Sequence, residues 1–338
     1  MSALCMSIKV MQIMIKGIRS ILAAMLCVAA FGAVAEPNAQ MDVIENPCTI
    51  PPSNVAHIGQ VLKMCTVSLY RETSNDVTPE DAGLLGSGVF AAKFVNGEKR
   101  YFIITANHLI DSILFGDGST GFQVGLISQN ALSIKRLSIV PCIKIHLYSD
   151  LDNDLAIIDI TDIISDLERT GGSVVAIDLD PSSRAQWDPA SRTVPLVAPL
   201  MDCSRIILKE NAQPLALVSA AKPSLSKLVS SEGEDWAVPF VISEGRLRSQ
   251  DISADIQFSD YTLGRKQTYQ VSFVEVEDCW PGMSGSAVYI LGRKHIPLLY
   301  GIVIAGNTNG LDVIPIAKAV KLIDAKVSIP IKVIPKNQ

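Results

Sequence analysis

Cys279-Trp280-Pro281-Gly282-Met283-Ser284-Gly285-Ser286-Ala287-Val288 sets a serine between glycines, just ahead of a run of strand-forming residues. A nucleophilic serine needs that setting. Gly282 lets the backbone approach a substrate carbonyl with no side chain in the way. Its N–H and that of Ser284 can then point at one spot, as an oxyanion hole requires. The same string also makes an ordinary turn. A histidine and an aspartate upstream, in matching contexts, separate the two readings.

The chain has four histidines, His57, His108, His146 and His295. His146 falls mid-strand, His295 in an Arg-Lys-His turn, and His57 at the start of the first β region. His108 closes Tyr101-Phe102-Ile103-Ile104-Thr105-Ala106-Asn107-His108, where an apolar strand ends in small residues and a short helical turn begins. That setting fixes a histidine on a rigid strand and still exposes it. Asp154 opens Asp154-Leu155-Ala156-Ile157-Ile158, at the boundary of a polar loop and an apolar strand. A carboxylate there can be buried against an imidazole N–H, holding its tautomer and supporting the imidazolium. Asp150 and Asp152 lie further out in the loop, and Asp159 points to another face of its strand.

The pattern is all-β. Short β runs cover Val61–Tyr70, Leu84–Val95, Lys99–Thr105, Phe122–Ser128, Ile139–Leu147 and Leu155–Ile160. Asn96-Gly97 between two of them is a hairpin signal. These runs predict a first antiparallel β-barrel over 61–165. Residues 166–200, rich in proline at their end, read as an interdomain crossing. Further runs at Arg205–Lys209, Leu215–Ala220, Trp236–Ser243, Ile252–Phe258, Thr268–Val276, Ala287–Leu291, Pro297–Ile304 and Leu311–Pro315 predict a second barrel within 201–338. Ile316–Lys326 carries Ile316, Val320 and Ile323 at helical spacing, which predicts a C-terminal helix packed on it.

The chain is 338 residues long and 48% hydrophobic. Residues 1–35 read as a signal peptide: basic residues come first, an apolar run spans Ile21 to Ala35, and Ala33-Val34-Ala35 precedes Glu36. Met6, Met11 or Met14 would serve equally as the start. Residues 36–60 read as an N-terminal arm or short propeptide. Losing the leader removes Lys9, Lys16 and Arg19 and no acid, and takes the formal net charge from −5 to −8. An acidic mature chain argues against nucleic acid or, after signal cleavage, a membrane as partner. A monomer in a secreted or periplasmic setting is expected. Export implies an oxidising compartment. Five cysteines remain, Cys48, Cys65, Cys142, Cys203 and Cys279, so at least one is free or pairs between chains. Cys48–Cys65 is the preferred disulfide, tying the arm to the first strand. No Cys or His spacing suggests a metal, and no cofactor is implied.

His108, Asp154 and Ser284 occur in that chain order, unlike the Ser, Asp, His order of α/β-hydrolases. Here the chain resembles the chymotrypsin-like (trypsin-like) serine peptidases, and among them the bacterial secreted type. The carriers are Gly86-Ser87-Gly88, Thr105-Ala106-Asn107-His108, Asp154-Leu155-Ala156, Gly282-Met283-Ser284-Gly285-Ser286 and Gly301-Ile302-Val303-Ile304-Ala305-Gly306. The resemblance implies two six-stranded barrels with a His108, Asp154, Ser284 triad in the cleft between them. It implies an oxyanion hole from Gly282 and Ser284, and hydrolysis of protein or peptide substrates through an acyl-enzyme. The edge strand ending at Gly306 is then expected to hold the substrate backbone. Asp278, six residues before Ser284, takes the place of the family's pocket floor and would favour Arg or Lys before the cut. With Glu275 and Glu277 nearby, a plain surface acid is the other reading.

Two departures matter. Met283 stands where animal relatives carry an aspartate that pairs with a new N-terminal amine, so that activation switch is not expected. Ile304 replaces a serine that usually supports the catalytic aspartate. A weak or inactive peptidase-fold binding protein and an esterase with the same triad are the alternatives to an endopeptidase.

Overall fold

The computed structural model describes residues 42–44, 58–59, 62–72, 84–114, 119–128, 131–139, 146–169, 173–174, 176–179, 206–208, 213–222, 240–258, 266–291 and 297–327. The leader, most of the arm, His57, His295, Cys48, Cys142, Cys203 and residues 180–200 of the crossing lie outside them.

A three-residue strand β1 (Asp42–Ile44) comes first. Then follow β2 (Thr66–Glu72), β3 (Leu84–Val95), β4 (Glu98–Ala106), helix α1 (Asn107–Leu114), β5 (Ser119–Ser128), β6 (Ala131–Ile139), β7 (His146–Asp150) and β8 (Leu155–Asp159). Helix α2 (Thr161–Arg169) leads to the short strands β9 (Ser173–Val174) and β10 (Ile177–Asp178). The main path of the first sheet runs β6-β5-β2-β3-β4-β8-β7, with β9 paired to β5 and β10 to β3. β3 and β4 are joined as a tight hairpin. Asn96 and Gly97 have φ of 54° and 86°, the two positive values that a type I′ turn demands. All five residues of β8 are buried, as its place between β4 and β7 requires.

The chain continues through β11 (Ile206–Leu208), which pairs parallel with β1. It then builds β12 (Leu215–Ala221), β13 (Phe240–Gln257), β14 (Lys266–Val276), β15 (Ala287–Leu291), β16 (Pro297–Asn307) and β17 (Gly310–Pro315). These six close into a barrel in the order β12-β13-β14-β17-β16-β15. Helix α3 (Ile316–Lys326) ends the described chain and buries Ile316, Ala319, Leu322 and Ile323 on one face. The class is thus the expected one, all-β and mainly antiparallel in two β units with a C-terminal helix. Among the described residues, however, only the second unit closes into a barrel, and the first is an open sheet to which β10 adds a parallel pair.

Two apolar cores follow from strand alternation. Val218, Val274, Val288, Val303, Leu311 and Val313 fill the barrel interior. The opposite faces of the same strands, with Tyr289, Ile302, Ile304 and Ile314, join the core of the first sheet. A hydrogen bond between Thr66 Oγ1 and Ser219 Oγ crosses that seam.

Three expectations are corrected. Ile139–Leu147 is not one strand, since β6 ends at Ile139 and β7 starts at His146. Trp236–Ser243 and Ile252–Phe258 are not separate strands: β13 runs unbroken for 18 residues. Its polar middle reads as a loop, yet it pairs with β14 through two register shifts, and Asp251 takes up the irregularity at φ 52°. Finally, Cys65 is a free thiol with none of its surface exposed, so the Cys48–Cys65 bridge is not made. Burial in the core pushes its pKa up to about 12.

Candidate active site

Asp154 sits at the end of a polar turn in the left-handed region, at φ 48°. A non-glycine residue held there costs on the order of 1–3 kcal/mol and needs support from its surroundings. The support is dense. Asp150 Oδ1 accepts the N–H groups of Asp152 and Asn153, and Asp150 Oδ2 accepts Asn153 Nδ2, which shapes the turn. The Asp154 carbonyl accepts the Asn107 N–H at 2.8 Å, and β8 then pairs Leu155 with Ala106.

This clamp brings the buried Asp154 carboxylate to His108 at the start of α1. Oδ1 accepts the His108 backbone N–H at 2.9 Å, and Oδ2 lies 2.7 Å from His108 Nδ1. The carboxylate therefore fixes both the backbone and the ring of one residue. The His108 side chain is 15% exposed, so the ring is only partly covered. Asp159 is spent elsewhere, on Arg100 and on the N–H and hydroxyl of Thr161.

Ser284 lies in the second of two successive turns. Met283 N–H donates to Trp280 O at 3.3 Å, and Ser286 N–H to Met283 O at 2.9 Å. The third residue of each turn is a glycine of positive φ, Gly282 at 102° and Gly285 at 82°. That is the type II pattern, for which Pro281 at the second position of the first turn is pre-set. The second turn docks on the first sheet. Ser87 N–H donates to Ser284 O at 2.8 Å, and Ser87 Oγ donates to Gly282 O at 2.7 Å. Ser87 Oγ also accepts the Ala221 N–H at 2.9 Å. On the other side, Gly285 N–H donates to Val303 O and Val303 N–H to Ser286 O. Among the described residues, no backbone carbonyl accepts the N–H of Gly282 or Ser284.

Gly86 shows how near the serine turn comes to the histidine helix. A β-carbon there would lie 2.9 Å from Ser284 O and inside the side chain of Leu109, the residue after His108. Met283 points away from this seam and is buried in the barrel interior.

The other two sequence-derived positions lie at one end of the barrel. Asp278 is exposed, in a short segment after β14. Its charge adds to partial burial in raising the Cys279 thiol above the ordinary range. Gly306 is exposed on β16, where an added β-carbon would lie 3.9 Å from Cys279 Sγ. β15 pairs with β16 only from Leu291 back to Ala287, opposite Pro297 to Ile302. From Ala305 to Asn307, β16 pairs with β17, and among the described residues no strand pairs with its other edge there. Ile304 is fully buried and offers Asp154 no hydroxyl.

Sequence reasoning missed Phe258. Its ring stacks on His108 with centroids 4.5 Å apart and planes 19° apart. Nothing local to Phe258 marks it. Ser87 stood within a quoted motif, but its double hydrogen bond joins segments far apart in the chain. Among the described residues, no group of His, Cys, Asp or Glu is placed to hold a metal ion.

No protein-family model and no curated protein matches the chain. Among solved structures it is similar to catalytically active tobacco etch virus protease complexed with product. The identity is 11% and the TM-score 0.36, over 76% of this chain and 75% of that one. A likeness of this degree transfers no residue role.

Proposed function

We propose that the protein is a serine endopeptidase, secreted or periplasmic, that cleaves peptide bonds through an acyl-enzyme. The observation that carries this reading is the His108–Asp154 pair, held through both carboxylate oxygens beside the docked Ser284 turn. Ser284 Oγ attacks the scissile carbonyl carbon, and His108 takes its proton. Asp154 holds the ring through Nδ1–H and stabilises the imidazolium. The N–H groups of Gly282 and Ser284 receive the developing oxyanion; one such donor is worth about 10²–10³ in rate. His108 then protonates the leaving amine, and water releases the acyl group by the reverse sequence. The β16 edge from Ala305 to Asn307 takes the substrate backbone as an added strand. Asp278 receives a basic side chain before the cut, and cleavage-site profiling of Asp278→Ala tests that.

The test of the whole reading is labelling of the folded protein by a fluorophosphonate probe. The expected result is one adduct, on Ser284, absent in Ser284→Ala. An unlabelled wild type that still binds peptides would replace this reading with a second, a non-catalytic peptide-binding module. The buried Ile304, which cannot donate to Asp154, favours that second reading.

A further inference from the structure

The arm made by the far halves of β13 and β14 is longer than barrel closure needs. β17 pairs with β14 only from Ser272 to Val274, whereas β13 and β14 stay paired out to Gln257 and Lys266. The arm has two unlike faces. Asp255 and Thr268 are joined by a hydrogen bond, as are Ser253 and Gln270, and all four lie on one face. The other face carries Ala254, Ile256, Phe258 and Tyr269, which pack on the core of the first sheet. An amphipathic ladder of this kind is built to lie on something.

At its end it meets His108. Phe258 lies nearly parallel to the imidazole at 4.5 Å, and Tyr269 backs Phe258 edge-on at 6.1 Å and 66°. One edge of the imidazole is thus taken by Asp154 and one face by Phe258. The Nε2 edge is left for chemistry. The histidine belongs to the first sheet, the serine and the phenylalanine to the second barrel.

We propose that Phe258 is a positioning residue for His108: the arm clamps the imidazole so that its Nε2 edge stays turned toward the Ser284 side. The inference rests on the reading of His108 as the general base. A ring hydrogen-bonded at one edge alone can still rock about that bond; a parallel ring on its face removes that motion. Aromatic pairs of this kind hold one another by an amount that corresponds to about two- to tenfold in an equilibrium.

Phe258→Leu keeps an apolar side chain under the arm and removes the flat ring, and Phe258→Tyr keeps the ring. Two measurements decide the matter. In histidine-labelled Ser284→Ala protein, the carbon-bound ring protons of His108, identified by their loss in His108→Gln, report the stack by its ring current. Phe258→Leu is expected to move them and Phe258→Tyr to leave them in place. In protein with Ser284 intact, the fluorophosphonate labelling rate is expected to fall about two- to tenfold in Phe258→Leu. It should recover in Phe258→Tyr, with the unfolding midpoint of both variants measured alongside. Unmoved His108 resonances in Phe258→Leu, or labelling as fast as wild type, overturn the proposal. If wild type itself does not label, the peptidase reading is what fails, and the resonances alone decide the positioning role.

Discussion

Gly285→Ala is a sharp test of how Ser284 is held, because the same structure contains its control. Gly285 and Gly97 have nearly equal φ, 82° and 86°. Around Gly97 there is nothing within 4 Å of an added β-carbon. At Gly285 an added β-carbon falls onto the Ser87 carbonyl oxygen and Thr105 Oγ1, and even the Ser87 carbonyl carbon is only 3.0 Å away. A left-handed non-glycine residue costs about 1–2 kcal/mol, so Gly97→Ala should lose roughly that and no activity. Gly285→Ala carries the same conformational cost. It adds the cost of overpacking against main chain that β3 and β4 hold in place, about 1–3 kcal/mol. Its total should reach about 2–5 kcal/mol. Normal carbon contacts are about 3.5–4.0 Å, so the serine turn must retreat on the order of 1 Å. Misplacement on that scale costs about 10² in rate. Urea unfolding gives the stability difference and fluorophosphonate labelling the rate. Equal destabilisation by the two substitutions, with labelling of Gly285→Ala unchanged, would refute the docking of the serine turn on β3.

Ser87→Ala should cost on the order of 2–4 kcal/mol in urea unfolding, because the Gly282 carbonyl and the Ala221 N–H lose one shared partner in a buried site. Iodoacetamide with peptide mapping at pH 8 should find exposed Cys279 alkylated in the folded protein and Cys65 only after unfolding, since burial raises the Cys65 pKa to about 12. Asp312 tests the pH dependence of stability. It is half-buried on β17, and desolvation raises its carboxyl pKa above the ordinary carboxylate range. A raised carboxyl destabilises the fold once ionised, a cost that appears as pH rises through the unfolded pKa and is complete above the folded one. Asp312→Asn should therefore melt higher than wild type at pH 7, with the gap closing below about pH 4.

Much of the framework was legible from local chain chemistry. The Asn96-Gly97 hairpin, the apolar runs of β3, β4 and β8, and helix α3 each follow from residues close in sequence. The Pro281-Gly282 and Ser284-Gly285 turns are likewise written locally, because each needs a glycine of positive φ at one fixed place. His108 and Asp154 stood out for the same reason, each at a junction of an apolar strand and a polar turn. Other features had no local signature. The polar middle of β13 reads as loop, and only its partner strand β14 holds it extended. Cys65 reads as a bridge partner until the core closes over it. Ser87 gains its role by meeting Gly282 and Ala221, and Phe258 by meeting His108 across the seam between the two β units. Composition and spacing report what a segment can do by itself. They are silent on which distant segment it meets, because that is settled by the packing of whole sheets. The amino-acid sequence alone determined the two antiparallel units and the candidate serine, histidine and aspartate. Tertiary structure alone decided how the serine turn is anchored and which ring covers the histidine.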